Sequence, residues 1–152
     1  MQYTETEISR YKYVDDKFTT LHSNYAIVKK LGKGSYGCVY EAVSKLDNKR
    51  YAIKRIDLNK RKNMESVLEP QNLVFIEEVM NHNFKEKFYY HSWNENNNLF
   101  IKMRLMKGNI THLYDSLNFR YEKVFVDVFL QLCKFLYLLH KNNYVHLDIK
   151  PS

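Results

Sequence analysis

Three of the four glycines in this 152-residue chain, Gly32, Gly34 and Gly37, lie within six consecutive positions. They follow the spacing G-x-G-x-x-G, and Val39 comes two residues after the last of them. Glycines at these positions let the backbone approach phosphate groups closely and point its amide N–H groups at them. The cluster therefore predicts a phosphate-binding loop, and the elements on either side of it decide which fold carries the loop.

Two folds use this spacing, and the flanking residues distinguish them. In a dinucleotide-binding fold the loop joins a strand to a helix, and an acidic residue follows about 20 positions later. Asp57 fits that distance, but residues 38–43 alternate in the manner of a strand. The other fold is a hairpin of two strands that closes over the phosphates, and the alternation favours it.

Lys54 decides between these alternatives. It stands seventeen residues after Gly37, on a strand predicted at residues 50–56. The alternation places Ala52 and Lys54 on one face of this strand. A lysine at this position, on the strand that follows the hairpin, can reach the α- and β-phosphates of ATP.

The rest of the chain predicts a mixture of strands and helices. Five strands are expected, at residues 25–30, 38–43, 50–56, 88–93 and 99–105. Helices are expected at residues 64–80, 110–117 and 124–140. The last helix is apolar on nearly all sides and so requires burial on every side, but we expect this chain to lack the neighbours that would cover it.

A third motif, His-Leu-Asp-Ile-Lys-Pro, follows the last helix. It places Asp148 two residues after His146 and Lys150 two residues after Asp148. The carboxylate can accept a proton from a hydroxyl group, and the lysine can neutralise a phosphoryl group in transfer. In this order and spacing, the three motifs predict phosphoryl transfer from ATP.

Together these motifs resemble the N-terminal half of a eukaryotic protein kinase domain, from about Tyr25 to Ser152. The resemblance implies an α+β, protein-kinase-like fold, with a five-stranded antiparallel N-terminal lobe that carries one helix. The first helices of a helical C-terminal lobe follow, truncated within the catalytic loop. The implied organisation is a polar extension at 1–22, the N-terminal lobe and hinge at 23–106, and the start of the C-terminal lobe at 107–152.

The resemblance also assigns roles to individual residues. Those implied to bind ATP are Leu31, Gly32, Lys33, Gly34, Ser35, Tyr36, Gly37, Cys38, Val39, Ala52, Lys54, Met103, Arg104 and Met106. Val39 and Ala52 would enclose the adenine, and Met103 would be the gatekeeper. The backbones of Arg104 and Met106 would bind the adenine edge. Asp148 would be the catalytic base, with Lys150 beside it.

The glutamate that should pair with Lys54 is not at its expected place. An alignment without a gap puts Leu73 there, which cannot form an ion pair. Glu69 and Glu77 lie one turn to either side, on roughly the same face of the helix. We favour Glu69, because Pro70 indicates an irregular start to this helix. Glu77 is the alternative.

The magnesium-binding motifs of the family do not occur in this sequence. The expected asparagine would fall just after Ser152, and there is no Asp-Phe-Gly. ATP and Mg²⁺ are the implied cofactors, but no metal ligand is predicted within the chain, and we expect the chain as written to be inactive. Three interpretations stay open: a fragment or truncated form of an active kinase, a truncated module that binds ATP or docks on a kinase or regulatory partner, and unrelated nucleotide binding.

Weaker features indicate a subfamily. Leu147, followed by Asp-Ile-Lys-Pro-Ser, resembles the Wee and Myt mitotic-inhibitor kinases, and residues 89–93 also resemble the kinases of translation initiation factor 2. Lys150 belongs to a serine/threonine-type loop, although Wee-type enzymes can phosphorylate tyrosine with it. The implied substrate is therefore a protein hydroxyl group, and the choice between serine or threonine and tyrosine stays open.

Charge and composition limit the partners and the compartment. The formal net charge is +7, and residues 45–62 carry eight basic side chains. This excess could attract nucleic acid, but no nucleic-acid module accompanies it, so we interpret it as a solvated strand edge and loop. The chain has only two cysteines, and its N-terminus carries no secretory signal, which together predict an intracellular protein, cytoplasmic or nuclear. It contains no run of about 18 apolar residues, so no membrane span is predicted.

Overall fold

A computed structural model describes residues 24–34, 37–59, 65–85, 87–112, 122–147 and 149–150, without the side chains of residues 65–70, 80 and 122. The predicted extension at 1–22 lies outside these residues. The chain divides into two compact units, Met1–Leu105 and Met106–Ser152.

The first unit is an antiparallel sheet with one helix. Its elements are β1 (Tyr25–Gly34), β2 (Gly37–Ser44), β3 (Arg50–Asp57), α1 (Glu65–Phe84), β4 (Tyr89–Glu95) and β5 (Asn98–Arg104). The strand order is β1-β2-β3-β5-β4, and every neighbouring pair is antiparallel. The prediction of a five-stranded antiparallel sheet with one helix is confirmed.

The glycine cluster lies on the β1–β2 hairpin. We expected β1 to end at Lys30, but it continues as far as Gly34, which pairs directly with Gly37. Two irregularities in register, between Ile27 and Lys29 and between Lys30 and Gly32, allow the strand to twist as it extends. The hairpin prediction is therefore confirmed, and Ser35 and Tyr36, between the strands, lie outside the described residues.

The two faces of the sheet carry separate apolar clusters. On one, which we call the helix face, Leu73 of α1 packs against Ile56, Leu99 and Ile101. The opposite face holds a second cluster of buried residues: Tyr25, Ile27, Tyr40, Ala42, Ile53 and Phe100. Trp93 packs against this second cluster and stacks between the rings of Tyr25 and Phe100.

Helix α1 is longer than predicted and contains a proline in its second turn. Pro70 is the sixth residue of the helix, beyond the first turn, where proline is best accommodated. Proline has no N–H to donate to the carbonyl four residues earlier, so the helix lacks one backbone hydrogen bond at this position. The other hydrogen bonds of the helix offset this loss. The helix ends at Phe84, and the next residue, Lys85, adopts a left-handed conformation (φ 54°) and donates its N–H to Asn81 O at 3.1 Å.

On the face opposite the helix, Lys102 of β5 is enclosed by tyrosine rings. Its side chain is only 8% exposed. Its Nζ lies 3.6 Å from the ring centroid of Tyr51, 5.3 Å from that of Tyr25 and 5.6 Å from that of Tyr90. Cation–π attraction of this kind strengthens as water is excluded. The Tyr51 hydroxyl also donates to Asp47 Oδ2 at 2.5 Å, which joins the β2–β3 turn to the cluster.

We expect the stability of the chain to fall as the pH rises through the tyrosine range. Burial raises the pKa of Tyr25 and Tyr51, and raises that of Tyr40 to about 12. Above about pH 10 the unfolded chain loses protons that these folded tyrosines keep, so unfolding becomes more favourable. Burial lowers the pKa of Lys102, and this shift by itself makes the stability of the folded chain rise with pH. The combined effect of three tyrosines is larger than that of one lysine, so the stability falls.

The check is the urea midpoint, measured by Trp93 fluorescence at several values between about pH 9 and pH 12. Tyr51→Phe should flatten the decline, because it removes one of the tyrosines that titrate. A midpoint that rises over this range would contradict the expectation.

The second unit contains helix α2 (Glu122–Lys141). It extends one or two residues beyond the predicted 124–140 at each end. Leu139 is buried, but Val126, Phe129, Leu130 and Tyr137 are exposed, in agreement with the expectation that this chain lacks the neighbours that would cover the helix. The helix predicted at 110–117 is described only at residues 110–112. Over the described part of the chain, neither helix combines the length and hydropathy of a membrane span.

Candidate nucleotide site

Strand register brings the predicted adenine and phosphate residues of the first unit onto the helix face. Val39 of β2 pairs with Lys54 of β3, and Lys54 pairs on its other side with Ile101 of β5. Two residues away along β3, Ala52 pairs with Met103. Directly paired residues on neighbouring antiparallel strands project to the same side, with Cβ atoms about 5 Å apart. Val39, Ala52, Lys54 and Met103 therefore form one contiguous patch.

The three clustered glycines differ in what surrounds them. A Cβ atom at Gly32 or Gly34 would have nothing within 4 Å. A Cβ atom at Gly37 would lie 2.0 Å from the carbonyl oxygen of Arg55 on β3. The first two glycines thus leave open space, which suits the close approach of a phosphate group. The third glycine is required by the packing of β2 against β3.

The other predicted glycine-loop residues are on the hairpin strands. Leu31 and Lys33 are exposed on β1, and Cys38, on β2, is half-buried and packs against the apolar cluster of the opposite face. Ser35 and Tyr36 were also assigned to ATP binding, but they lie outside the described residues.

Among the candidate partners of Lys54 on α1, Glu77 has another role. Its Oε2 accepts the backbone N–H groups of Phe88 and Tyr89, each at 2.7 Å. Leu73, one turn before it, packs in the apolar cluster of the helix face. Glu69 lies one further turn toward the start of α1, and its side chain is not among those described. The use of Glu77 by the backbone of β4 was not anticipated from the sequence.

The predicted hinge begins at the end of β5. Met103 is half-buried beside the cluster that contains Leu73. Arg104 donates its backbone N–H to Phe88 O at 2.7 Å. Its N–H is therefore engaged within the sheet, so only its carbonyl can serve the adenine edge. Met106, the remaining hinge residue of the prediction, is exposed and is the first residue of the second unit.

A buried carboxylate on the same face was missed by sequence analysis. Glu41 pairs with Ala52 across β2 and β3, and its side chain is 5% exposed. Arg50 Nη1 donates to Glu41 Oε1 at 2.7 Å, and Lys29 Nζ lies 3.7 Å from Oε2. Burial of an unpaired carboxylate is costly, so these cations are what allow Glu41 to lie here. Alternation alone placed Glu41 within β2 without indicating its partners.

The predicted catalytic loop belongs to the second unit. Asp148 lies outside the described residues, and Lys150 is exposed. Between Val145 and Ile149, which are both exposed, Leu147 adopts a left-handed conformation (φ 59°) with its side chain 91% exposed. Left-handed backbone is uncommon for a residue with a branched apolar side chain. Within the described residues, no group of three histidine, cysteine, aspartate or glutamate side chains could hold a metal ion.

Comparisons with known proteins agree with this geometry. A family model described as the protein kinase domain matches residues 25–152. Wee1-like protein kinase 2 of Homo sapiens is 33% identical over 132 residues, covering 82% of this chain and 23% of that protein. Wee1-like protein kinase 1-A of Xenopus laevis is 30% identical over 146 residues, covering 88% of this chain and 25% of that protein. A probable protein kinase of Dictyostelium discoideum is 34% identical over 136 residues, covering 85% of this chain and 17% of that protein. The chain thus spans a quarter or less of the length of these relatives.

Proposed function

Because the chain belongs to the protein kinase family, we propose that it binds ATP on the helix face of its sheet, as part of a protein that transfers the terminal phosphoryl group to a protein hydroxyl. The observation that carries the proposal is the register that sets Lys54 opposite Val39, beside the glycine hairpin. Open space at Gly32 and Gly34 fits a phosphate chain.

The predicted adenine and hinge residues, together with Lys54, then have roles in holding the nucleotide. Val39 and Ala52 contact the two faces of the adenine, and Met103 limits the depth of its pocket. The carbonyl of Arg104 accepts from the adenine amino group, and the backbone of Met106 completes the edge. Lys54 holds the α- and β-phosphates through charge-assisted hydrogen bonds.

Glu69 is the proposed partner of Lys54. The alternative, Glu77, uses its carboxylate oxygen on two backbone amides of β4. Lys54 pairs with Ile101, which clusters with Leu73, and Glu69 precedes Leu73 by one helical turn on the same side of α1. A glutamate there supports the lysine in the orientation that phosphate binding requires.

Asp148 and Lys150 are proposed as the catalytic residues of phosphoryl transfer. The carboxylate accepts the proton of the attacking hydroxyl group, and the lysine offsets negative charge on the phosphoryl oxygens. When Mg²⁺ is bound together with ATP, it neutralises part of the phosphate charge. No residue of this chain is assigned to bind Mg²⁺. The likeness to Wee1-like kinases supports a Wee-like position within the family.

A nucleotide titration of the full chain tests the proposal. Wild type should bind Mg-ATP saturably, and Lys54→Met should weaken binding about 10- to 100-fold, the range for losing a charge-assisted hydrogen bond. Lys30→Met is the matched control, because Lys30 is an exposed lysine on β1 that should change affinity less than about twofold. A folded wild type without saturable binding, or equal affinities for the wild type and Lys54→Met, would overturn it.

A second candidate is an inactive module that binds a partner protein. The exposed apolar side chains of α2, including Phe129 and Leu130, favour it, since contiguous apolar surface marks interaction sites. Transfer of labelled phosphate from ATP to a protein by the same chain would exclude this candidate. Mg-ATP binding without any transfer fits both candidates, because the sequence contains no Asp-Phe-Gly motif.

A further inference from the structure

Glu77 reaches from α1 to the first residues of β4. The helix ends at Phe84, and the carboxylate of Glu77, about two turns earlier, accepts two backbone N–H groups beyond that end. These belong to Phe88 and Tyr89, and both distances are 2.7 Å. Such bonds from amides to a carboxylate are about twice as strong as bonds between neutral groups. One carboxylate oxygen thus clamps the connection between α1 and β4.

The clamp continues to the predicted hinge through a single peptide group. The carbonyl of Phe88 and the N–H of Tyr89 belong to the same peptide unit. Its N–H donates to Glu77 Oε2, while its carbonyl oxygen accepts the N–H of Arg104 at 2.7 Å. Hydrogen bonds in series polarise one another, so the negative charge on Glu77 makes the Phe88 carbonyl a better acceptor for Arg104.

This relay ends on the residue whose carbonyl is proposed to recognise adenine. Arg104 is the last residue of β5, and Met103, just before it, pairs with Tyr89 across the sheet. The side chain of Arg104 plays no part in the link, because the hydrogen bond between Arg104 and Phe88 joins two backbone atoms. Fixing the Arg104 N–H orients the plane of the Met103–Arg104 peptide, and the carbonyl at the adenine edge is separated from that plane only by the φ and ψ rotations of Arg104.

We propose that Glu77 is a positioning residue for adenine recognition, acting through the Phe88–Tyr89 peptide on the backbone of Arg104. This inference rests on the proposed ATP binding and adds a determinant of base specificity that touches neither the base nor the phosphates. Helix α1 then contributes to both ends of the nucleotide, through Glu69 at the phosphates and through Glu77 at the adenine.

The test compares ATP with inosine triphosphate, which carries a carbonyl oxygen where adenine carries its amino group. A well-placed Arg104 carbonyl accepts from the amino group and repels the oxygen, so wild type should prefer ATP. Glu77→Ala should reduce the ratio of the two affinities about three- to tenfold, the range for one hydrogen bond. Lys54→Met should weaken both nucleotides equally and leave the ratio unchanged.

Two further variants separate positioning from general destabilisation. Glu77→Gln keeps an oxygen acceptor without the charge, so its ratio of affinities for ATP and inosine triphosphate should lie between those of wild type and Glu77→Ala. If the alanine variant does not fold, the glutamine variant replaces it in the test. Glu78→Ala removes an exposed glutamate next in the same helix and should leave the ratio unchanged. Amide hydrogen exchange at Arg104, followed by NMR, should quicken in Glu77→Ala and stay slow in Glu78→Ala.

The possible outcomes distinguish this inference from the proposed function. If wild type binds no Mg-ATP, the proposed function fails and the role of Glu77 fails with it. If wild type binds and prefers ATP, but Glu77→Ala keeps the same ratio and the same exchange at Arg104, the role of Glu77 alone is overturned. A reduced ratio in Glu77→Ala, with a wild-type ratio in Glu78→Ala, supports it.

Discussion

Gly37→Ala is expected to prevent the first unit from folding stably. The added Cβ atom would lie 2.0 Å from the carbonyl oxygen of Arg55 and 3.3 Å from the Cα atom of Ile56. Both neighbours are backbone atoms of a central strand, so no side-chain rotation relieves the clash. Since β3 pairs with strands on both sides, moving it disrupts both ladders. We expect a loss of more than about 3 kcal/mol, a large part of the stability of an ordinary domain.

Gly34→Ala is the matched control for this prediction. Gly34 pairs directly with Gly37, yet a Cβ atom there meets nothing within 4 Å. Its stability should change by less than about 1 kcal/mol, while its affinity for Mg-ATP should fall if phosphates occupy that space. Urea unfolding followed by the fluorescence of Trp93, the single tryptophan, measures the stability of the sheet directly. Equal midpoints for the two variants would contradict the steric account.

Arg50→Met is expected to destabilise the chain by about 2 kcal/mol, because it leaves the buried Glu41 carboxylate with the longer and more exposed ion pair to Lys29. The effect should fall below that of a fully buried pair, since the Arg50 side chain is 40% exposed. Lys29→Met should cost less than about 1 kcal/mol, as Lys29 is 63% exposed and 3.7 Å from the carboxylate.

A double variant shows whether the buried charge causes this loss. Arg50→Met combined with Glu41→Leu removes both charges, so it should be more stable than Arg50→Met alone. Urea midpoints of the two single variants and the double variant give the coupling between the residues. If Glu41→Leu lowers stability further in the Arg50→Met background, the ion pair is not what stabilises this part of the sheet.

Local sequence patterns predicted the elements of the first unit and the faces of β3. Alternation put Ala52 and Lys54 on one side of β3, and the register with β5 confirms it. The glycine spacing, joined to a following strand and to Lys54, predicted the hairpin and the protein kinase family. These features depend on residues close together in the chain, where a repeating pattern carries the information.

Long-range contacts were not predictable in the same way. Nothing in the pattern around Glu77 shows that its carboxylate will bind the amides of Phe88 and Tyr89, because most glutamates on helices face water. The position of Lys102 on β5 does not indicate that three tyrosines from elsewhere in the sheet will enclose it. The roles of Asp148 and Glu69 stay predictions, since their side chains lie outside those described.

The strand order β1-β2-β3-β5-β4 also determines how this sheet can assemble. β1, β2 and β3 are joined in sequence by short connections, and β4 and β5 form a hairpin around Asn96 and Asn97, both in left-handed conformation. Pairing β3 with β5 must close a loop that contains the whole of α1, and the entropy lost in that closure is recovered only once both hairpins are in place. We therefore expect the β3–β5 junction to form late in folding, and the patch that carries Lys54, Ala52 and Met103 exists only after it forms.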